Sequence, residues 1–193
     1  MVVEVTEPAE SMPGVIRAVS SREIYRNPWL SLREDVVERP DGTCGIYSVV
    51  DRPDYAVVIA AENGGFHLVE QYRYPTGGRY WEFPQGSFPA GRTGSAEELG
   101  RAELAEETGI SATSWTSLGQ LHGWHGASGQ QFTVFLATGL SPGVPRREHE
   151  EQDMRHRWVP RAEFERLIRT GGIRDDSTTA AYLLLLLHER ATA

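Results

Sequence analysis

The stretch that decides the fold is residues 95–110, which read SAEELGRAELAEETGI. Ser95 followed three residues later by Glu98 has the form of a capping box, in which each residue satisfies a backbone N–H at a helix start. Gly109 can adopt the left-handed conformation that commonly ends a helix. We therefore predict a helix over residues 96–107, with its N-terminus at the serine.

Three carboxylates occupy the last turns of this predicted helix. Glu103, Glu106 and Glu107 stand at i, i+3 and i+4, so their side chains share one helix face. The helix dipole and mutual repulsion both oppose this placement, and a bound cation would resolve the conflict. Oxygen ligands suit Mg²⁺ or Mn²⁺, and Mg²⁺ commonly bridges carboxylates to substrate phosphates. The alternative interpretation is an acidic helix face that water solvates.

Extended segments are predicted on both sides of the helix. They lie at residues 21–25, 30–38, 45–50, 56–61, 66–72, 80–83, 131–138 and 154–159. Two more helices are predicted, at residues 162–170 and at residues 178–190 with Ser177 as N-cap. Apart from the short strand at residues 80–83, the Gly- and Pro-rich residues 75–94 interrupt regular structure, and loops of this length are often functional.

Chain length indicates how many domains to expect, and net charge indicates which partners to exclude. The chain has 193 residues, of which 39% are hydrophobic, so residues 14–193 are expected to form one domain. Residues 1–13 lack apolar periodicity and are expected to be a flexible terminus. The net charge of −8 argues against nucleic acid as a partner, because binding to a phosphate backbone depends on clustered Lys and Arg.

Cysteine content and apolar runs indicate the compartment. Cys44 is the single cysteine of the sequence, which rules out an internal disulfide. The first residues lack the basic and apolar regions of a secretory signal. The apolar run at residues 183–187 is far shorter than the roughly 20 residues that cross a bilayer. We predict a cytoplasmic protein that has no membrane partner.

Residues 86–110 resemble the Nudix box. The family pattern is Gly, five residues, Glu, seven residues, Arg-Glu-aliphatic, any residue, Glu-Glu, any residue, Gly and an aliphatic residue. The second half matches from Glu103 onward, except that Ala102 stands at the arginine position. Counting back places Gly94 at the first glutamate, and Gly86 lies two residues too far from the helix. The box is degenerate.

Arg101 does not replace the arginine that the family has at position 102. Arg101 points about 100° away from position 102 on a helix. Its expected role is an i,i+4 ion pair with Glu97.

The resemblance extends to the ADP-ribose pyrophosphatase branch of the family over roughly residues 20–190. It is carried by QYRYP at residues 71–75, WEFP at residues 81–84 and the region of residues 148–158. This resemblance implies an α/β (α+β) fold, an α/β/α sandwich with a mixed sheet. It also implies a homodimer, and a metal-dependent pyrophosphohydrolase acting on a nucleoside diphosphate derivative such as a nucleotide sugar. ADP-ribose, cleaved to AMP and ribose 5-phosphate, is the expected substrate.

The resemblance also implies a ligand set for Mg²⁺ or Mn²⁺. In that branch the metal ligands match Glu103 and Glu107, supported by Glu106. A main-chain carbonyl just before the box glycine completes the set, and here it belongs to Gln85.

Substrate-binding residues are implied in two regions. Arg73 and Glu82 match residues that surround the substrate in that branch. Tyr25 and Trp29 lie where its members often place an adenine-stacking residue, with core packing as the alternative role. Residues 121–131 lack the proline of the loop that usually reads the terminal group of the substrate.

An acidic residue of a late loop is implied near the attacked phosphate. The candidates are Glu148, Glu150, Glu151 and Asp153. Glu151 is the first choice, and Glu150 and Glu106 complete the expected catalytic carboxylates.

Two other interpretations stay open. One is a catalytically inactive Nudix domain that binds a nucleotide or a protein, which the two departures from the box favour. The other is an unrelated α/β fold with a purely structural acidic helix, which would leave the upstream Arg and aromatic motifs unexplained.

Overall fold

The computed structural model describes residues 14–88, 93–147 and 149–192, with the side chain of Glu150 left out. The expected flexible terminus, residues 1–13, lies outside the described residues. The chain divides into two compact units. Unit 1 contains the described residues up to Pro53 together with His122–Gln130, and unit 2 contains Asp54–Leu121 and the residues from Gln131 onward. The single domain expected for residues 14–193 stays a prediction.

Unit 1 is built on a three-stranded antiparallel sheet. Its strands are β1 (Arg17–Arg26), β2 (Ser31–Glu38) and β3 (Cys44–Asp51), in the order β1-β2-β3. The three strands predicted in this region are confirmed, although β1 begins four residues earlier than expected. Asp41 shapes the turn between β2 and β3, since its carboxylate accepts the Thr43 N–H at 3.0 Å.

Unit 2 contains a larger sheet of mixed strand direction. Its strands are β4 (Tyr55–Glu62), β5 (Gly65–Arg73), β6 (Gly78–Glu82), β7 (Gln85–Ser87), β8 (Ser111–His122), β9 (Gln131–Ser141) and β10 (Arg155–Pro160). The strand order is β10-β5-β4-β9-β8, with β6 beside β5 and β7 beside β4. Strand β4 runs parallel to β9 and antiparallel to β5. The mixed sheet expected from the resemblance is confirmed.

Helices cover both faces of this sheet. They are α1 (Ala96–Thr108), α2 (Arg161–Thr170) and α3 (Asp176–Thr192). Successive residues of a strand point to opposite faces. Val58 and Ala60 of β4 pack with Leu104 of α1, whereas Val57 and Ile59 belong to the core that includes side chains of α2 and α3. The α/β/α sandwich is therefore confirmed. Across the described parts of the chain, no helix has the length and apolar character needed to span a membrane.

Three local predictions are corrected by the structure. Strand β8 was not predicted, because its Ser- and Thr-rich sequence is only partly buried at the edge of the sheet and shows weak alternation. Strand β7 lies inside the predicted loop of residues 75–94. Helix α3 begins at Asp176, and the Asp175 carboxylate caps it by accepting the Thr178 N–H at 2.8 Å. Ser177 is thus the wrong cap.

Candidate functional site

Helix α1 presents its carboxylates at a fixed position because both of its ends are anchored. Ser95 Oγ accepts the Glu98 N–H at 3.2 Å, and the Glu98 carboxylate accepts the Ser95 N–H at 2.7 Å, which confirms the capping box. Gly109 has φ 76°, and its N–H donates to the Ala105 carbonyl at 3.0 Å. The predicted helix start and stop are both confirmed.

Glu107 is a buried carboxylate with one unsatisfied oxygen. Its side chain is 1% exposed, and its Oε2 accepts the Gln85 backbone N–H at 3.2 Å. Its Oε1 is buried and has no hydrogen-bond partner within the described residues. Burial raises the pKa of Glu107 well above its usual value, and the charges of Glu103, Glu151 and Glu82 raise it further. Glu107 therefore either binds a proton or needs a cation from outside the chain to balance its negative charge.

Glu103 lies beside the strand that carries Gln85. Its side chain is 9% exposed, and its carboxylate faces Gly86. A Cβ at position 86 would lie 2.6 Å from Glu103 Cδ, which is closer than ordinary packing permits. Glycine at position 86 thus leaves room for the carboxylate. Since Glu103 and Glu107 are both buried, the interpretation of a solvated acidic face is wrong for these two residues.

Glu106 differs from the other two helix carboxylates in burial and in its main-chain contact. Its side chain is half-buried, and its carbonyl accepts the Arg146 N–H at 2.9 Å. Arg147 Nε donates to the Glu107 carbonyl at 3.0 Å. Because a helix C-terminus carries partial negative charge, Arg147 offsets part of the repulsion there. This arginine stands in no motif of the sequence.

Glu82 and Arg73 are brought together as a partly buried ion pair. Glu82 is 2% exposed and accepts the Gln71 side-chain amide at 2.7 Å and Arg73 Nε at 3.3 Å. Burial raises the pKa of Glu82 despite the opposing charge of Arg73, and Asp175 raises it as well. The Arg73 side chain remains 42% exposed. The charge of Glu82 also raises the pKa of Glu107, so this ion pair lies close to the helix carboxylates.

Asp175 and Ser177 join this network without having been identified from the sequence. Asp175 Oδ2 accepts the Gln85 side-chain amide at 3.3 Å, and Ser177 Oγ lies 2.8 Å from Gln85 Oε1. Asp175 Oδ1 is buried and has no hydrogen-bond partner in the described part of the chain. The available signal was an aspartate three residues before Thr178, which is the spacing of a helix cap.

Two of the four late acidic candidates, Glu151 and Asp153, have described side chains. Glu148 and the side chain of Glu150 lie outside the described residues. Glu151 ends a short 3₁₀ turn, His149–Glu151, and is close enough to Glu107 to raise its pKa. Asp153 forms an ion pair with Arg79.

Tyr25 and Trp29 lie in unit 1. Tyr25 belongs to β1 and is 54% exposed, and Trp29 follows that strand and is 66% exposed. Core packing, the alternative role considered for them, is wrong for both residues in this unit.

Gly94 and Arg101, two residues of the degenerate box, have local contacts of their own. Gly94 lies against Phe88 and the Glu98 carboxylate, with 2.8 Å between a Cβ built at position 94 and the Phe88 ring. A larger residue at position 94 would therefore displace Phe88. Arg101 forms the predicted ion pair with Glu97 at 2.8 Å and stacks over the Trp115 ring. Arg101 thus stabilises the exposed side of α1.

The donors near Gly86 fit a divalent cation. Among residues 14–88, 93–147 and 149–192, no three His, Cys, Asp or Glu side chains are gathered closely enough to hold a metal ion. The donors that lie together are instead the carboxylates of Glu103 and Glu107 and the backbone of Gln85. A buried unpartnered carboxylate oxygen calls for a ligand. Two carboxylates with a main-chain oxygen suit Mg²⁺, which keeps several waters.

Comparisons with known proteins show which sequences this chain resembles. The sequence model of the NUDIX domain matches residues 50–182, and that of the nucleoside diphosphate sugar hydrolase N-terminal domain matches residues 16–50. The chain is 35% identical over 168 residues to the ADP-ribose pyrophosphatase of Mycobacterium tuberculosis (strain ATCC 25618 / H37Rv), covering 86% of this chain and 80% of the relative. It is 28% identical to the ADP-ribose pyrophosphatase of Bacillus subtilis (strain 168), covering 71% and 74%.

A solved structure supports the fold independently of sequence identity. The crystal structure of an ADP compounds hydrolase superposes with a TM-score of 0.82 at 17% identity, covering 95% of this chain and 99% of that one. The class of protein is therefore a pyrophosphohydrolase with a mixed α/β fold. More narrowly, the chain belongs to the Nudix family, because the domain match spans more than half of it. An unrelated α/β fold is excluded.

Proposed function

We propose that the chain hydrolyses the diphosphate linkage of a nucleoside diphosphate derivative with Mg²⁺ or Mn²⁺ as cofactor. ADP-ribose is the proposed substrate, with AMP and ribose 5-phosphate as products. The observation that carries the proposal is the buried carboxylate of Glu107, with its unpartnered oxygen beside Glu103. The two relatives named ADP-ribose pyrophosphatase support the choice of substrate.

The proposed ligands of the cation are Glu103, Glu107 and the main-chain carbonyl of Gln85, with Glu106 in support. A divalent cation bound there offsets charge on the phosphoryl oxygens of the substrate. The Gln85 N–H fixes one oxygen of Glu107 and leaves the other for coordination. The Arg146 N–H and the Arg147 side-chain Nε donate to the carbonyls of Glu106 and Glu107 and hold the end of the helix in place.

The proposed reaction adds water across the diphosphate. Glu151 accepts a proton from the attacking water, with Glu150 and Glu106 as the other candidates. The water oxygen bonds to one phosphorus as the bond from that phosphorus to the bridging oxygen breaks. The bridging oxygen stays with the second phosphate, so the products are two phosphate monoesters and the proton passes to solvent.

Arg73 and Glu82 are proposed to position the substrate. Glu82 holds the guanidinium through Nε and Nη2, and the exposed part of Arg73 leaves the other N–H donors for a phosphate or a hydroxyl. Tyr25 and Trp29 are proposed to stack on the adenine, which their exposed rings permit. Tyr25→Ala and Trp29→Ala should then raise KM for ADP-ribose while changing kcat little.

The test of the function is release of phosphomonoester from a panel of substrates. The panel contains ADP-ribose, nucleotide sugars, dinucleoside polyphosphates and nucleoside triphosphates, each with Mg²⁺, with Mn²⁺ or with a chelator. We expect metal-dependent turnover that is fastest on ADP-ribose. Faster turnover of another member would overturn the proposed substrate. ADP-ribose binding without turnover of any member would favour the inactive binding module instead.

We also propose that the protein is a homodimer that associates through unit 1. The sheet of this unit leaves several large apolar side chains exposed, among them Val19, Ile24 and Ile46. Exposed apolar patches commonly mark interfaces. Light scattering coupled to size exclusion should give twice the monomer mass for the wild type and the monomer mass for Ile24→Glu/Ile46→Glu. A monomeric wild type would contradict the proposal. The cytoplasmic location stays a prediction.

A further inference from the structure

Asp175 connects the start of helix α3 to the strand beside the helix carboxylates. Its Oδ2 is within hydrogen-bond distance of three donors: the Thr178 N–H at 2.8 Å, Ser177 Oγ at 3.0 Å and the Gln85 side-chain amide at 3.3 Å. The first contact caps the helix, which a local motif explains. The contact to Gln85 spans 90 residues of sequence and has no role in capping.

The Gln85 side chain is held at both of its polar ends. Its Nε2 donates to Asp175, and its Oε1 lies 2.8 Å from Ser177 Oγ. The single Ser177 hydroxyl proton can be donated to either Asp175 or Gln85. This arrangement fixes the amide against rotation and ties β7 to the start of α3.

The backbone of Gln85 contacts the carboxylate that carries the proposed function. Its N–H donates to Glu107 Oε2, and the opposite oxygen of Glu107 has no partner among the residues described. Strand β7 is only three residues long, and its pairing with β4 places Gln85 opposite Val57. So short a strand gives the backbone at this point few anchors of its own, which makes the side-chain anchor important.

We infer that Asp175 is a positioning residue of the metal site, which holds Gln85 through its side chain and thereby fixes the backbone amide that orients Glu107. This inference rests on the proposed metal site. Asp175 acts through hydrogen bonds and does not itself contact the cation. Residues that orient metal ligands commonly alter metal affinity about 10–100-fold when they are changed.

The experiment measures binding of Mn²⁺ alone by calorimetry, in the absence of nucleotide. Asp175→Ala and Gln85→Met should each weaken binding about tenfold, and the double variant should be no weaker than either single one, because both changes break the same link. Asp175→Asn keeps an oxygen acceptor and should retain most of the affinity. Asp176→Asn is the matched control, since this exposed neighbour loses the same charge.

The variants separate positioning from folding and from net charge. Asp175→Ala also removes a helix cap, which costs about 1 kcal/mol, so the unfolding midpoint in chelator is measured for each variant. Gln85→Met keeps the helix cap, so its Mn²⁺ affinity tests the positioning role even if Asp175→Ala does not fold. A wild type that binds no Mn²⁺ would overturn the metal site and the positioning role together. Undiminished binding by Gln85→Met, or equal loss in Asp175→Asn and Asp175→Ala, would overturn the positioning role alone.

Discussion

Two sets of carboxylates in unit 2 differ in how their charge is balanced. Glu70 of β5 accepts Arg79 Nε at 2.9 Å and lies 3.6 Å from Arg155, while Asp153 also pairs with Arg79. Each of these carboxylates therefore has a cation from the chain itself. Glu107, in contrast, is more deeply buried and has other carboxylates as its charged neighbours.

This difference in charge balance distinguishes carboxylates that stabilise the fold from carboxylates that need a bound cation. An ion pair whose groups are matched within the chain stabilises the fold modestly and has no need of a ligand. Buried carboxylates held near one another are costly unless a cation or protons neutralise them. The set around Glu70 is therefore a closed ion-pair cluster, whereas the buried Oε1 of Glu107 has no hydrogen-bond partner among the described residues and is the oxygen proposed to bind a cation.

The largest expected effect comes from neutralising Glu107. Glu107→Gln should lower kcat/KM on ADP-ribose by about 100- to 1000-fold, since metal assistance contributes several kcal/mol to the transition state. In chelator the same variant should unfold at higher urea, because a buried carboxylate without a cation is removed. Glu70→Gln is the matched control and should show the reverse pattern, with lower stability and unchanged kcat/KM. Full activity in Glu107→Gln would refute its role as a ligand.

The second largest effect is expected at Glu151, and Asp153 in the same loop is the comparison. Glu151→Gln should lower kcat about 100-fold with little change in KM, as loss of a general base does. Asp153→Asn should leave kcat unchanged and cost less than about 1 kcal/mol of stability, because it removes one side of an exposed ion pair. Steady-state kinetics and urea unfolding of both variants test this. Equal loss of kcat in both would mean that the loop acts through its overall charge.

The third effect tests the space that Gly86 leaves for Glu103. Gly86→Ala should raise the Mg²⁺ concentration needed for half-maximal activity about tenfold, because the new methyl group displaces a ligand. The displaced group is the far end of a flexible side chain, so the unfolding midpoint should change little. Gly129→Ala is the control, since a Cβ there meets no atom within 4 Å. An unchanged metal requirement would show that Glu103 is free to move without loss.

The sequence predicts the parts of the site that depend on local patterns. The capping box, the left-handed stop and the i, i+3, i+4 spacing of Glu103, Glu106 and Glu107 are all contained within sixteen residues. Such features arise from contacts along one helix. The same pattern could not show that Glu107 is almost fully buried, because burial depends on the sheet against which α1 packs.

The parts that the sequence does not predict depend on contacts between distant segments. Asp175 reaches Gln85 across 90 residues, and Arg147 reaches Glu107 across 40. Neither residue stands in a motif that marks such a partner. Strand β8 was missed for a related reason, since an edge strand needs less apolar alternation than a central one.

The smallest expected effect concerns a third polar cluster, which contains the half-buried His156. His156 Nε2 lies 3.0 Å from His67 Nδ1, and His67 Nε2 lies 2.8 Å from the Glu62 carboxylate. Burial lowers the pKa of His156 from 6.5 to about 4, with the charges of His67 and Arg147 adding to the effect. At neutral pH this cluster resembles the closed set around Glu70. In acid, protonation of His156 adds a positive charge near His67 and Arg147.

The sign of the pH dependence follows from proton binding. Between pH 6.5 and about pH 4 the unfolded chain protonates this histidine and the folded chain does not, so stability falls as the pH falls through that window. Because solvent screens this half-buried group, lowering the pH from 7 to 5 should cost about 1 kcal/mol from His156. His156→Gln cannot be protonated and should lose correspondingly less stability in urea unfolding at the two pH values. An identical pH dependence in wild type and variant would mean that His156 stays solvated, and the acid sensitivity would then belong to the carboxylates.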